Sequence, residues 1–210
     1  MPLLPSERYA CVRCLTALPQ THFWNAPKNN EGYLRLAPHV DNLQGVVSGF
    51  WYAMGSPLRS WIQAAKYQGK PQLLHAAARY MATLMRESSW LHLRELKGLL
   101  PIPISETKLN QRGYNQAEWA ARGLAEVWGI SLLHNYWKRR PSIGSQTGRT
   151  RTERWQAMEK EFYWFRPIPS PIGVVDDVLT TGATLTAALR ALPQGTQVWV
   201  FTIGITQRRR

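Results

Sequence analysis

Cysteine is scarce in this chain. Cys11 and Cys14 are the only two in 210 residues, which excludes a disulfide-stapled scaffold. Long hydrophobic runs are also missing. No apolar stretch approaches the ~20 residues of a membrane-spanning helix, and no basic-then-apolar start marks a signal peptide. No membrane insertion is therefore expected, and the expected location is cytoplasmic. Acids are few: 13 Asp plus Glu stand against 26 Lys plus Arg, a formal net charge of +13. One small anionic ligand does not need so large an excess. It suits either a polyanionic partner such as nucleic acid, bound through counterion release, or a generally basic surface.

The hydrophobic fraction of 44% excludes a disordered chain, and the length suits one α/β domain with an appendage. Residues 1–44 are rich in Pro, Asn and scattered polar residues, and read as a loop-rich N-terminal appendage resembling a truncated zinc ribbon. Residues 45–210 read as the main domain. Cys11 and Cys14 have the C-x-x-C spacing of half a zinc site, whereas a closed tetrahedral site needs four ligands. His22 and His39 are candidates to complete the set, but nothing in their spacing requires it, so zinc is doubtful. A redox pair lacks the surrounding βαβ pattern.

Along the main domain, GVVSGFWYA (residues 45–53) has strand character, and Ser56-Pro57 gives an N-cap with Pro at the first helical position. The helix that follows ends in Lys66-Tyr67-Gln68-Gly69-Lys70, an ordinary terminus with basic residues complementing the dipole. A second helix, scaffold in character, is expected over 72–86. LLPIPI (99–104) reads as a buried strand stopped by its prolines. Residues 108–116 read as a polar loop and 116–128 as a helix with a face of small residues.

Residues 130–136 read as the second strand of the sheet. Trp137 to Arg149 reads as a long basic loop, and Thr150-x-x-Glu153 as a capping box. Phe162 to Phe165 suits an edge strand and VWVFTIGI (198–205) a final one. Trp119, Trp128, Trp155 and Trp199 suit the core. Trp137, next to Lys138, Arg139 and Arg140, is a candidate base-stacking platform for nucleic acid.

The stretch with the most chemistry is GVVDDVLTTGATL, residues 173–185. An apolar run delivers Asp176 and Asp177 to the carboxyl edge of a sheet, where open α/β folds place their ligands. Thr180, Thr181, Gly182, Ala183 and Thr184 then offer backbone N–H groups and hydroxyls at a helix start, a site for a phosphate dianion. Carboxylates repel phosphate, so the acidic pair suits the neutral part of the same ligand. Vicinal sugar hydroxyls with Mg²⁺ nearby meet that demand, and a ribose 5-phosphate has both groups.

These residues resemble the phosphoribosyl pyrophosphate (PRPP) motif of type I phosphoribosyltransferases. In order along the chain, AAKYQGK, LLPIPIS, RGYNQA, SQTGRTRTERW and VVDDVLTTGATL resemble the ComF family, which includes ComFC and GntX-like proteins, over roughly residues 45–205. The resemblance implies a type I phosphoribosyltransferase-like parallel sheet flanked by helices, with a degenerate zinc finger at the N-terminus. It also implies a link to DNA uptake in natural transformation. The family's finger has two C-x-x-C pairs, and CVRC looks like the second alone; either the gene start lies further upstream or the finger has been lost.

By the same resemblance, Asp176 and Asp177 hold the ribose hydroxyls and sit near Mg²⁺, and Thr180 to Thr184 hold the 5-phosphate. Ser105 and Arg112, with Arg139, Arg140 and Arg149 from a lid, meet pyrophosphate. Asp176, Asp177 and Arg112 are the catalytic candidates. Two functions from different classes follow. One is a phosphoribosyltransferase with an unidentified acceptor. The other is a non-catalytic competence protein that binds single-stranded DNA or a DNA-uptake helicase through its basic surface.

Overall fold

Runs of Val, Ile and Phe with side chains alternating between two apolar faces build the centre of the protein. In the computed structural model, which describes residues 9–86, 95–140 and 161–207, they form one parallel four-stranded sheet. Its strands are β1 (Leu43–Trp51), β2 (Leu99–Pro101), β5 (Ile172–Leu179) and β6 (Val198–Ile205), in the order β1-β6-β5-β2. Neighbouring residues on a strand serve opposite faces, as the two-residue repeat requires. Val47, Leu99, Val175 and Phe201 pack into one core, and Val46, Leu100, Val174 and Val200 into the other.

The first face is covered by α3 (Pro57–Tyr67), α4 (Gln72–Met85) and α6 (Gln116–Trp128), and the second by α2 (Glu31–Leu36) and α7 (Ala183–Arg190). This is the expected α/β architecture, a parallel sheet flanked by helices. Ser56 caps α3 by accepting from the Arg59 amide, with Pro57 in the first turn, so the cap read from the sequence forms. On α6 the small residues Ala117, Ala120 and Ala121 are buried. At Gly123 a Cβ would lie 2.5 Å from the His75 carbonyl oxygen of α4, so only glycine permits that approach.

Two expectations are corrected. Residues 108–116 are not a loop throughout: α5 spans Glu106–Arg112. Ser105 caps it by accepting from the Lys108 amide, Glu106 lies in the first turn and Arg112 in the last, and the chain leaves at Gly113. These are the ordinary signals of a short helix. Residues 130–136 do not form a full strand either. Leu132 makes one parallel bridge to Leu99. The Leu99 amide donates to Ser131 (2.8 Å) and the Leu133 amide to the Leu99 carbonyl (2.8 Å). The next donor on that edge would be residue 101, a proline with no N–H, and the ladder stops there.

The chain then turns through Asn135, at φ 53°, into a separate antiparallel ribbon of β3 (Trp137–Arg139) and β4 (Phe162–Trp164). The expected basic loop thus begins as a strand. Its remainder, with Arg149 and the capping box at 150–153, lies outside the described residues, as does Trp155.

Residues 9–42 pack on the same sheet. A short helix, α1 (Val12–Thr16), leads to buried Leu18 and Trp24, and Leu36 of α2 is fully buried in the second core. Gln20 bridges to Phe50 of β1, and the Val46 amide donates to Pro27. Among the described residues no helix is long and apolar enough to cross a membrane.

The α4–α6 contact gives a direct test. Replacing Gly123 with Val should destabilise the protein by about 2 kcal/mol or more, because the obstacle is backbone and cannot swing aside. Urea unfolding of the two proteins measures the difference.

Candidate functional site

The carboxyl ends of β2 and β5 open into a cleft of about 320 Å³. Strand β5 brings Asp176 and Asp177 to its floor, and Thr180 to Thr184 form the adjoining turn. Gly182 adopts φ 87° as the N-cap of α7, and the Ala183 amide points back to the Thr181 hydroxyl. That left-handed step, cheap only for glycine, turns the strand end into the helix start. The acidic pair and the Thr-rich turn singled out in the sequence thus share one cavity.

Opposite them stand four cations from three elements. Lys66 comes from the last turn of α3, Lys108 and Arg112 from α5, and Arg139 from β3. The Lys66 ammonium lies 2.6 Å from the Asp177 carboxylate. Lys66 lies in the AAKYQGK segment that resembles the ComF family, but local physics makes it only a helix terminus. Only the fold shows that α3 ends over β5.

The pair of acids is electrostatically strained. Burial and the neighbouring Asp177 charge push the Asp176 carboxyl up to about 7. The backbone amides of Asp177 and Val178 each donate back to the preceding carboxylate at 2.8 Å, which partly offsets that cost. For Lys66, burial works against the charge. The attraction of Asp177, its hydrogen bond and Asp176 outweigh burial and raise the ammonium above its usual range. Lys108 is lowered, first by burial and then by Arg139, Arg112 and Lys66. A crowd of cations that weakens one of its own members is a place where an anion would be stabilised.

The segment Arg112-Gly113-Tyr114-Asn115-Gln116 fastens this wall together. Arg112 lies over the Tyr67 ring at 5.6 Å, and the Tyr114 hydroxyl donates to Ala65 at 2.6 Å. Asn115 donates to the Ile102 carbonyl at 2.9 Å while accepting from the Ala117 amide. RGYNQ is therefore the seam that joins α3, β2 and α6 beside the cleft.

A second support was not read from the sequence. Arg35 of α2 is buried, and its guanidinium donates to the carbonyl oxygens of Thr180 (2.5 Å) and Leu179 (3.4 Å) and to that of Thr206. Glu31 balances its charge at 3.0 Å. The expected N-terminal appendage thus supplies the clamp under the Thr-rich turn. A lone Arg in a short helix gives no sequence signal for such a task.

Other candidates fall elsewhere. Ser105 does not line the cleft: its hydroxyl is engaged as the cap of α5, and Pro103 and Ile104 form the wall at that point. Arg140 faces away and covers the Tyr163 ring at 5.2 Å. Trp137 is buried, stacks on Trp164 at 4.3 Å and donates to Pro101 at 2.8 Å. A ring enclosed in this way has no face for a base, which corrects its reading as a stacking platform. Cys11 is buried and Cys14 exposed. The Cys14 thiol is raised by its hydrogen bond to Cys11, then by burial. No group of three or more His, Cys, Asp or Glu side chains is placed to hold a metal among the described residues.

No family model matches the chain. Over 156 residues it is 29% identical to Competence protein F of Haemophilus influenzae, an alignment that covers 68% of this chain and 66% of that protein. The chain is similar to this protein over most of its length, as the resemblance to the ComF family implies. It spans about two thirds of the length of this ComF relative, and the resemblance seen in the five sequence motifs is thereby supported by an alignment over most of the chain.

Two outcomes are expected from the site's electrostatics. The Asp176 carboxyl is raised in the folded state, so the native protein binds more protons than the unfolded chain between about pH 4 and pH 7, and stability falls as pH rises through that window. Asp176→Asn should melt a few degrees above the wild type at pH 8, with the gain fading toward pH 4. Replacing Arg35 with Met strands buried carbonyls and should cost about 2–4 kcal/mol. Chemical denaturation at neutral pH reads that loss.

Proposed function

We propose that this chain binds PRPP in the cleft and, as the name of its relative suggests, acts in competence, the uptake of DNA in natural transformation. The observation that carries the first part is the convergence of the acidic pair, the Thr-rich turn and four cations in one cavity. That combination asks for a ligand with a hydroxylated neutral middle and two anionic ends, and PRPP has this form.

Each residue then has a task set by its chemistry. Backbone N–H groups and hydroxyls from Thr180 to Thr184 hold the 5-phosphate at the positive end of α7. Asp176 and Asp177 accept hydrogen bonds from the ribose hydroxyls. Lys108, Arg112 and Arg139 neutralise pyrophosphate, and Lys66 balances Asp177 until the ligand engages it. With only two carboxylates available, Mg²⁺ fits when the ligand's own oxygens complete its coordination, as this ion commonly requires. When bound it would neutralise phosphate charge. Breaking the bond from C1 to pyrophosphate builds positive charge on the sugar, which the nearby carboxylates stabilise while the cations stabilise the leaving group. Turnover further requires an acceptor, to be found by a screen.

A second reading draws on the ribbon. Arg140 over Tyr163 (5.2 Å) and Arg166 over Tyr136 (5.6 Å) interleave cations with aromatic rings, and Phe165 is 47% exposed. Such a surface suits single-stranded nucleic acid, or a DNA-uptake helicase working on it. Arg139 is the less available member, since it is paired with Glu161 at 2.8 Å.

Calorimetric titration of PRPP with Mg²⁺ tests the main reading. Saturable binding by the wild type, weakened about 100-fold or more in Asp176→Asn/Asp177→Asn, is the expected result. A folded wild-type protein that binds no PRPP overturns it.

A further inference from the structure

Gln116 is only 2% exposed, and its amide nitrogen has no hydrogen-bond partner. It is the first residue of α6, and it lines the cleft together with Asp176 and Asp177. Folded proteins pair nearly all such groups, and a buried amide left unpaired is a standing cost. At the wall of a ligand cleft, that cost is recovered when the ligand supplies the missing acceptor.

The surroundings leave Gln116 little freedom to find another partner. Asn115 pins the backbone by bonding Ile102 and Ala117, and Ala117 is buried against the second core. Asn115 already spends one amide N–H on Ile102 and its oxygen on Ala117, whereas the Gln116 nitrogen has no partner. The acceptor must also suit a wall that carries two carboxylates. A phosphate oxygen accepts but has no proton to give, and these acids repel it. A hydroxyl accepts from an amide and donates to a carboxylate, so it satisfies both groups at once.

We propose that Gln116 is a specificity residue that donates to a hydroxyl of the bound sugar, so that the site selects ribose over 2-deoxyribose. The inference rests on the phosphoribosyl reading of the cleft and adds to it a determinant outside the acidic pair. A polar group placed for a substrate hydroxyl penalises the analogue that lacks it, because the site's own groups are then left unpaired.

The test compares ribose 5-phosphate, 2-deoxyribose 5-phosphate and inorganic phosphate by calorimetry on the whole protein, with Gln116→Met and Gln116→Leu as variants. The wild type should prefer ribose 5-phosphate by roughly tenfold or more. In Gln116→Met, which removes the donor at similar volume, ribose 5-phosphate should bind about tenfold more weakly. The ribose preference should shrink, inorganic phosphate should bind as before, and the melting temperature should not fall. Gln116→Leu, which removes both the donors and the acceptor without adding charge, should also lose the preference. An unchanged preference in both variants overturns the role of Gln116 while leaving the phosphoribosyl reading in place. Failure of the folded wild type to bind either sugar phosphate overturns both, and unfolding of both variants assigns the amide to the fold and overturns the inference.

Discussion

Lys66 and Asp177 stand 2.6 Å apart at the carboxyl end of β5, and the rest of the site depends on that contact. Two consecutive carboxylates at the end of a buried strand repel each other and are both poorly solvated, so something must compensate. The protein divides the load. Asp177 takes a cation, and Asp176 takes backbone hydrogen bonding and a carboxyl raised to about 7. The compensation comes from a helix more than a hundred residues earlier in the chain. The end of α3 must therefore be held over β5, and the Tyr114 hydroxyl on the Ala65 carbonyl does that holding.

The same logic reaches the N-terminal segment. A strand that ends in a polar turn exposes carbonyls that no ladder satisfies. Arg35 collects those of Thr180 and Thr206, and also reaches the Leu179 carbonyl, which already accepts from the Thr206 amide. Its charge is balanced within its own helix by Glu31. Residues 9–42 thus bear on the turn from below, while RGYNQ and α3 bear on the acids from above. The cleft is held between two parts of the chain that are remote in sequence.

Much of this was legible beforehand, and the division has a physical cause. Long periodic elements read well: α3, α4, α6, β1, β5 and β6 fall close to where their apolar repeats place them, because burial of a continuous face overrides local detail. The acid pair and the Thr-rich turn are contiguous, so their shared cavity follows from a single strand–turn–helix junction. Lys66, Gln116 and Arg35 were not legible as site residues, because their roles arise where separate elements meet and no local pattern encodes that meeting. The misread stretches depend on single residues. Ser105 and Gly113 make a helix of what composition suggests is a loop, and Pro101 ends a ladder that hydrophobicity would continue. Trp137 sits among cations in the sequence, yet alternation along a strand turns its ring inward and leaves Lys138 outside.

That alternation also bears on how the two proposed activities relate. In β3, Trp137 and Arg139 share one side of the ribbon and Lys138 the other, as the two-residue period dictates. Arg139 lines the cleft, while Arg140, just past the strand, lies over Tyr163 on the ribbon's outer surface. The ligand cleft and the cation–aromatic surface are therefore neighbouring faces of one thin element rather than competing uses of one surface. Glu161 joins them, since its carboxylate holds Arg139 and its carbonyl accepts from the Arg140 amide at 2.7 Å. The side chain and carbonyl of Glu161 thus tie the cleft-lining Arg139 to the backbone that presents Arg140, so one residue fixes the ribbon's two faces relative to each other.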